Sequence, residues 1–420
     1  MLVNAVVMIV TFVVCFLISE LLLRKFLPIH SFVVGTGDVS TAPNAAVYGW
    51  GYAPGAEIRQ SDADTKETFS SKANSGGWKD VEHELGKSTG SVRILILGDS
   101  NTYGHVPMKD VYPRLLEKLL NDAGCDVEVI SMGYGGWGTD QELVALKRSG
   151  LAYEPDIVIS QFDTNDLIDN VVSDPNFPKP FRFEVVNGEL NMRAVQPRPV
   201  PWLKNFLLKS HVVFYTNSAR WAISDRISQF RKEDGRPVKA KTMDSTGPYF
   251  VWYTSQRGGL GIEVAWLLYE KLIEEMKRSS EQKGAIFLLF NATEKGNLAW
   301  EKRAGRIVED EAGHDAVLWD GKFHPISYLR HVDRLQEIAG RIGVSLIPNN
   351  RVYTRFINDA HANIEGNWRM AEDIFDFLVT NEETSHVLRK AQHQPQNCQS
   401  SGSHHSSVQR RSVSLSASER

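Results

Sequence analysis

Ser100 lies two residues after the end of the segment from Val92 to Gly98, a short apolar run typical of a parallel strand buried on both faces. A serine at this position lies at the mouth of a sheet and near the amino end of the next helix, where backbone N–H groups favour an anion. Its hydroxyl can attack a carbonyl carbon when a neighbouring base takes the proton. An Asp-Ser turn that only caps a helix has the same composition, so this segment predicts a nucleophile only in combination with other groups.

A base is available in Asp359-Ala360-His361, which lies beyond the last apolar run of the chain. A histidine at the end of a strand can face Ser100 across the same surface and take its proton. A nearby carboxylate such as Asp359 would fix the tautomer of the ring and stabilise its charged form. A single histidine is more often a surface or core residue, so this prediction depends on the other strand ends.

Two further segments follow predicted strands and offer hydrogen-bond donors. Asn165, within Asp163 to Asp166, has a side-chain amide that can stabilise an oxyanion, although Asn and Asp also cap helices. The glycines between Gly133 and Gly138 let the backbone approach a ligand closely. They match G-x-G-x-x-G in part, which keeps a nucleotide-binding domain as an alternative. That segment, however, follows the second predicted strand and has no P-loop lysine.

These candidate residues follow elements that alternate between strand and helix. The alternation predicts a flavodoxin-like three-layer α/β/α sandwich with a five-strand parallel sheet, in which ligands bind beyond the carboxyl ends of the strands. The predicted strands are 92–98, 127–131, 155–162, 284–291 and 344–349, and the predicted helices are 111–124, 139–150, 264–283, 328–342 and 367–379.

The composition is that of a globular protein and argues against nucleic-acid binding. The chain of 420 residues is 42% hydrophobic and carries a net charge of −4, without the strongly basic domain that nucleic acids require. Its three cysteines form neither a disulfide framework nor a metal-ligand spacing. They are Cys15, Cys125 and Cys398.

The amino-terminal run is long and apolar enough to span a bilayer. From Met1 to Leu23 the only strongly polar residues are Asn4 and Glu20, and about 20 such residues suffice for a transmembrane helix. No small-x-small cleavage site follows, which favours a retained anchor over a signal peptide. By the positive-inside rule, Arg24 and Lys25 would leave the rest of the chain in the cytoplasm.

We therefore predict four regions: a transmembrane anchor over 1–27, an irregular lead-in over 28–90, a catalytic domain over 91–383 and a disordered tail over 384–420. An inserted lid or subdomain at about 170–260 interrupts the catalytic domain, because this stretch is too apolar for a disordered linker. Its aromatic side chains favour a packed lid, with stacking on sugar rings as a second use. They include Trp202, Phe206, Phe214, Tyr215 and Trp221.

In this order, the candidate segments resemble the SGNH (GDSL-like) hydrolases over about 91–168 and 344–378. Each motif is weak alone, and the combination is specific. The sequence departs from the commoner pattern where Asn358, rather than Asp359, stands three residues before the histidine, where Asp163 replaces a glycine of block III, and where Ser131 or Met132 replaces an asparagine before block II. The matching segments are Gly98-Asp99-Ser100 for block I, Gly136 for block II, Asn165-Asp166 for block III, Asp359 and His361 for block V, and Asn74 to Asp80, which looks like bacterial membrane-tethered members.

The resemblance implies a catalytic triad of Ser100, His361 and Asp359 that acts on an ester through an acyl-enzyme. The oxyanion hole would consist of the Ser100 N–H, the Gly136 N–H and the Asn165 side chain, with no metal and no organic cofactor. The substrate would be an ester, for example of an acylated glycan, and the domain would lie in the periplasm. An O-acetyltransferase with the same triad and a catalytically silent glycan-binding module are the alternatives.

Overall fold

The computed structural model describes residues 2–26, 43–171, 179–195, 210–213, 215, 216, 220, 260–293, 307–319, 322–325 and 330–390. Within them, short 3₁₀ turns at Met108–Asp110 and Gly150–Tyr153 join longer elements. The helices are α1 (Leu2–Phe26), α2 (Pro43–Tyr48), α3 (Ser100–Tyr103), α4 (Tyr112–Asp122), α5 (Thr139–Arg148), α6 (Asp166–Asp169), α7 (Leu260–Glu281), α8 (Arg330–Ile342), α9 (Ile364–Thr380) and α10 (Glu382–Lys390). The strands are β1 (Glu57–Ser61), β2 (Thr68–Lys72), β3 (Val92–Gly98), β4 (Val127–Gly133), β5 (Ile157–Phe162), β6 (Phe181–Val186), β7 (Glu189–Ala194), β8 (Ile286–Asn291), β9 (Val308–Glu309), β10 (Asp315–Trp319), β11 (Lys322–Pro325) and β12 (Ser345–Ile347).

The central sheet has five parallel strands in the order β4-β3-β5-β8-β12. This is the flavodoxin-like strand order. The chain places β4 on one side of β3 and then β5 on the other side, and such sheets bind their ligands at this switch point between β3 and β5. Every residue of β3 and β5 is buried, as expected for parallel strands covered on both faces. The prediction of a five-strand parallel sheet is confirmed.

Helices cover both faces of the sheet and make the third layer. On one face, α5, α7 and α8 pack against alternate strand residues such as Leu95, Leu97 and Val158. On the other face, α4, α9 and α10 pack against Ile94 and the neighbouring residues that point the opposite way. Because the strands are buried on both sides, ligands of such sheets bind at the rim formed by their carboxyl ends.

Part of the predicted irregular lead-in is ordered and packed. Strands β1 and β2 form an antiparallel hairpin, and the aromatic rings of Tyr48, Trp50 and Trp78 are buried in the main core. The turn from Asn74 is held by its own side chain, which accepts from the Gly76 and Trp78 N–H groups at 3.0 Å. The segment therefore folds as part of the domain.

The insert and the tail are only partly described. The antiparallel hairpin β6–β7 lies within the predicted insert, and residues 172–178, 196–209, 214, 217–219 and 221–259 lie outside the described part. Of the insert aromatics predicted for stacking, only Tyr215 is within it. Helix α10 occupies residues that were predicted to begin the tail, and Leu388 packs in the core; residues 391–420 lie outside the described part.

The amino-terminal helix contains a stretch, Val6–Phe26, that is long and apolar enough to cross a membrane, and little of it is buried in the protein. A signal sequence meets the same criterion. The exception to its exposure is Glu20, whose carboxylate accepts from the Ser210 hydroxyl at 2.8 Å and from the N–H groups of His211 and Val212 at 3.0 Å. This helix is therefore joined to the insert through one carboxylate.

The cysteines differ in part from the sequence-based expectation. Cys15 on α1 is free and exposed. Cys125, between α4 and β4, is buried and disulfide-bonded, whereas the cysteine spacing predicted no disulfide framework. The spacing could not show this bond, because tertiary folding rather than sequence distance decides which thiols meet.

Candidate active site

Ser100 is the first residue of α3 and lies at the switch point of the sheet, two residues after the end of β3. Asp99 caps this short helix by accepting from the Asn101 N–H at 2.9 Å. Gly98 is needed for the sharp turn, since a Cβ there would collide with the side chains of Thr102 and Gln161. The turn therefore presents the serine at the rim of the sheet.

The Ser100 hydroxyl donates to Asp99 Oδ2 at 3.4 Å. Asp99 is fully buried, and burial together with the nearby Asp163 carboxylate raises the pKa of Asp99 to about 6. The charge of His361 acts on the same carboxylate in the opposite direction. His361, the predicted base, is therefore close enough to affect the charge of Asp99, the residue next to the predicted nucleophile Ser100.

His361 lies in the loop between β12 and α9, and its ring Nδ1 contacts Asp359 Oδ1. The same oxygen accepts from the His361 backbone N–H at 2.9 Å. Although burial acts to raise it, these bonds to His361 hold the pKa of the Asp359 carboxyl well below its usual range. Within the described residues, no hydrogen bond joins His361 to Ser100, whose hydroxyl donates to Asp99 instead.

The loop that carries His361 is tied down at several points. Arg355 donates to the carbonyls of Ala292 at 2.8 Å and Ala360 at 2.6 Å, which links the loop to the end of β8. Asn358 donates to Asp64, in the turn of the β1–β2 hairpin, from its backbone at 2.9 Å and from its side chain at 3.0 Å. The hairpin of the lead-in therefore holds the histidine loop.

The two predicted oxyanion donors lie on either side of the serine turn. A Cβ on Gly135 would lie 4.0 Å from Ser100 Cβ, so the glycine segment passes beside the serine, and Gly136 has a positive φ of 75°. The Asn165 side-chain amide donates to Asp169 Oδ2 at 2.9 Å and also hydrogen-bonds Asp99. The structure thus brings all three sequence-predicted donors to one rim.

Buried carboxylates lie beneath this rim, and of these the sequence analysis named Asp163 and Asp166 but not Glu142 or Asp169. Asp163, which replaces the usual glycine, accepts from Asn101 Nδ2 at 2.6 Å and from the Thr293 hydroxyl. Burial raises the pKa of Asp169 to about 7 and that of Asp166 and Glu142 well above the usual range. Four acidic residues within about 30 positions were visible in the sequence, but their burial was not.

Sequence analysis also missed two residues beside the histidine. The ring of His105 is stacked on that of His361, with centroids 3.7 Å apart and planes 23° apart. Lys79 is buried and donates to the carbonyls of Gly104 at 2.8 Å and Val106 at 2.9 Å, on either side of His105. Lys79 belongs to the Asn74–Asp80 segment, which resembles bacterial membrane-tethered hydrolases. That resemblance drew attention to the segment but gave Lys79 no role.

Among the described residues, no cluster of three or more His, Cys, Asp or Glu side chains is arranged to hold a metal ion. Several of the buried carboxylates around Asp99 accept from hydroxyl, amide or lysine donors. Lys179, for example, donates to Asp140 Oδ1 at 2.7 Å.

Residues 94–187 match the family model for GDSL-like lipase/acylhydrolase. The chain therefore contains a domain of this family, whose members are ester hydrolases. No curated protein matches the chain.

Solved structures with weak similarity to the chain have low identity. TesA is 12% identical, with a TM-score of 0.34, over 68% of this chain and 97% of that one. An acetyl xylan esterase, AlAXEase, is 14% identical, with a TM-score of 0.33, over 68% and 98%. A lipase/acylhydrolase from Enterococcus faecalis is 12% identical, with a TM-score of 0.33, over 67% and 93%.

Proposed function

We propose that this protein hydrolyses an ester through an acyl-enzyme on Ser100, with His361 as general base and Asp359 as its partner. The observation that carries the proposal is the contact of Asp359 with the His361 ring. The charge of His361 also acts on the carboxylate of Asp99, which is next to Ser100. An aspartate on one ring nitrogen leaves the other nitrogen available to a hydroxyl. A single histidine elsewhere on the surface would not combine these two relationships.

In the first step, His361 takes the Ser100 proton while the oxygen attacks the ester carbonyl carbon. For this, the hydroxyl turns away from Asp99, a bond that is long at 3.4 Å. The imidazolium then returns the proton to the leaving alcohol, and an acyl-serine remains. Water, activated by the same histidine, attacks this intermediate and releases the acid. Asp359 remains ionised throughout, in keeping with its lowered pKa.

The negative charge on the carbonyl oxygen would be held by the backbone N–H groups of Ser100 and Gly136 and by the amide of Asn165. Each such donor typically contributes about 100- to 1,000-fold to kcat. The Asn165 amide must leave Asp99 or Asp169 to reach the substrate oxygen, since both accept from it in this structure.

The substrate we propose is an acyl ester, with acetyl as the acyl group, carried by a glycan or a small molecule. Transfer of the acyl group to a sugar hydroxyl instead of water would give an O-acetyltransferase with the same residues. A glycan-binding module without catalysis would leave Ser100 unreactive. These alternatives differ in products and in serine reactivity, so a single set of assays separates them.

We propose further that α1 is a retained anchor of a bacterial protein and that the catalytic domain lies in the periplasm. The resemblance of the Asn74–Asp80 segment to bacterial membrane-tethered hydrolases supports this placement. Arg24 and Lys25 favour the opposite orientation. Addition of a protease to intact cells and to cells with a permeabilised outer membrane would decide: cleavage of the domain only in the latter supports the periplasm, and protection in both places it in the cytoplasm.

Full-length protein in detergent should be treated with a fluorophosphonate and assayed on p-nitrophenyl esters and acetylated glycans. We expect labelling of Ser100 and release of the acid, with both lost in Ser100→Ala. Labelling together with acyl transfer to a glycan hydroxyl would identify the acetyltransferase. If the wild type is not labelled and binds glycans without turnover, the protein is a binding module.

A further inference from the structure

We propose that His105 is a positioning residue whose ring, stacked on His361, fixes the plane of the imidazole for proton transfer. This inference rests on the proposed role of His361 as general base. In this role His105 acts through the ring of His361 and not directly on the substrate or on Ser100. The structure connects the two residues in a way that the 256-residue separation in sequence does not suggest.

Asp359 alone does not hold the ring of His361. It contacts the ring at one edge, through Nδ1, and such a contact permits the ring to tilt about the line that joins the two atoms. A quarter of the His361 side chain is exposed to solvent, so the protein does not surround it. The face-to-face contact with His105, at 3.7 Å and 23°, opposes that tilt.

His105 is itself held firmly. Its ring is buried and lies edge-on to Tyr103, with centroids 6.0 Å apart. The carbonyls before and after it accept from the buried Lys79 ammonium, which also lies 4.8 Å above the Tyr103 ring. Gln60 donates to the first of these carbonyls at 3.2 Å. His105 therefore has little freedom to follow a moving partner.

The charge state of the pair is consistent with this role. Burial lowers the pKa of His105 well below its ordinary value, and the charges of His361 and Lys79 lower it further while Asp359 opposes them. Tyr103, which lies edge-on to the ring, is also ionisable, and burial raises its pKa well above the usual range. His105 thus stays neutral when His361 gains a proton, and the imidazolium meets no second positive ring.

The test compares His105→Ala with His105→Phe in the full-length protein. Phe keeps a flat ring and cannot carry a proton, so we expect kcat within about threefold of wild type, whereas Ala should lower kcat by about 10- to 100-fold, the typical effect of a misplaced catalytic group. KM should stay within about twofold in both variants. The rate of fluorophosphonate labelling of Ser100 should fall in parallel with kcat, because it reports activation of the serine independently of the ester.

Lys79→Met, with Lys72→Met as the control, tests the support of His105 separately. Lys72 is exposed at the end of β2, and its removal should change nothing. Lys79→Met should lower kcat and the labelling rate in the same direction as His105→Ala. Equal melting temperatures for His105→Ala and His105→Phe would show that the kinetic difference between them does not come from unfolding.

The proposal is overturned if His105→Ala keeps wild-type kcat and labelling, or if His105→Phe falls as far as His105→Ala. It is also overturned if the loss in His105→Ala appears only in KM. Failure of the proposed function would look different: the wild type itself would not be labelled at Ser100. The two failures are therefore distinguishable in the same experiment.

Discussion

Oδ1 of Asp359 accepts from the backbone N–H of His361 at 2.9 Å and also contacts its ring Nδ1. The same carboxylate oxygen thus stabilises the backbone turn of the loop and contacts the imidazole ring. Asn358, at the position where the family more often has aspartate, bonds to Asp64 instead. The two-residue spacing is therefore sufficient for an Asp–His pair, because the carboxylate closes a tight turn back onto the ring.

We expect Asp359→Asn to be far more damaging than Asn358→Ala. An asparagine supplies no charge to stabilise the imidazolium and can favour the wrong tautomer; the same change in the serine-protease triad costs about 10,000-fold in kcat. The measurement is kcat on a p-nitrophenyl ester for both variants, with melting temperatures as a check of folding. Comparable losses in the two variants would remove Asp359 from the triad and leave a Ser–His pair.

Asp64→Ala should reduce activity although Asp64 lies in the lead-in hairpin. Its carboxylate accepts from Ile357 and Asn358 at 2.8 and 2.9 Å, so its removal frees the loop that presents His361. We expect a loss in kcat of about tenfold, since small misplacements of catalytic groups are costly, with a small change in melting temperature. Glu67→Ala, at an exposed position next to the same turn, is the control. Unchanged activity in Asp64→Ala would show that the loop is held by its other bonds.

Asp99→Asn should change how stability depends on pH. Because burial and Asp163 raise the folded pKa of Asp99 from 3.8 to about 6, the folded state binds more protons than the unfolded state between these values. Wild-type stability therefore falls as pH rises from about 4 to 6, by up to about 3 kcal/mol. The variant lacks this contribution. The free energy of unfolding of the variant minus that of the wild type, both from urea titrations, should therefore increase as pH rises across that window. Parallel curves for the two proteins would contradict the assignment.

The sequence predicted the sheet well because parallel strands buried on both faces leave an unmistakable apolar run. It also predicted Ser100, Asn165 and His361 at strand ends, and the structure brings these to one rim. It missed His105, since stacking between rings so far apart in the chain depends on tertiary packing. It missed the hairpin at Asp64 because five-residue strands with polar faces resemble a loop.

Deletion of residues 1–27 should leave a soluble domain that melts cooperatively. The side chains of α1 are mostly exposed and form no part of the core clusters. The deletion does remove Glu20, which accepts from Ser210, His211 and Val212, so cleavage by protease near these residues should become faster. Glu20→Gln in the full-length chain should show the same local change without a loss of anchoring. Aggregation without a cooperative transition would instead make α1 a structural element.

Because Tyr48 and Trp50 are buried in the domain, the compact body begins almost at Pro43, where α2 starts. Only the 16 residues from 27 to 42 separate it from the end of α1. Even fully extended, such a segment spans at most about 55 Å. If α1 is retained in the membrane, this short linker keeps the catalytic domain close to the bilayer. Esters that lie far from the membrane surface must then diffuse to the enzyme.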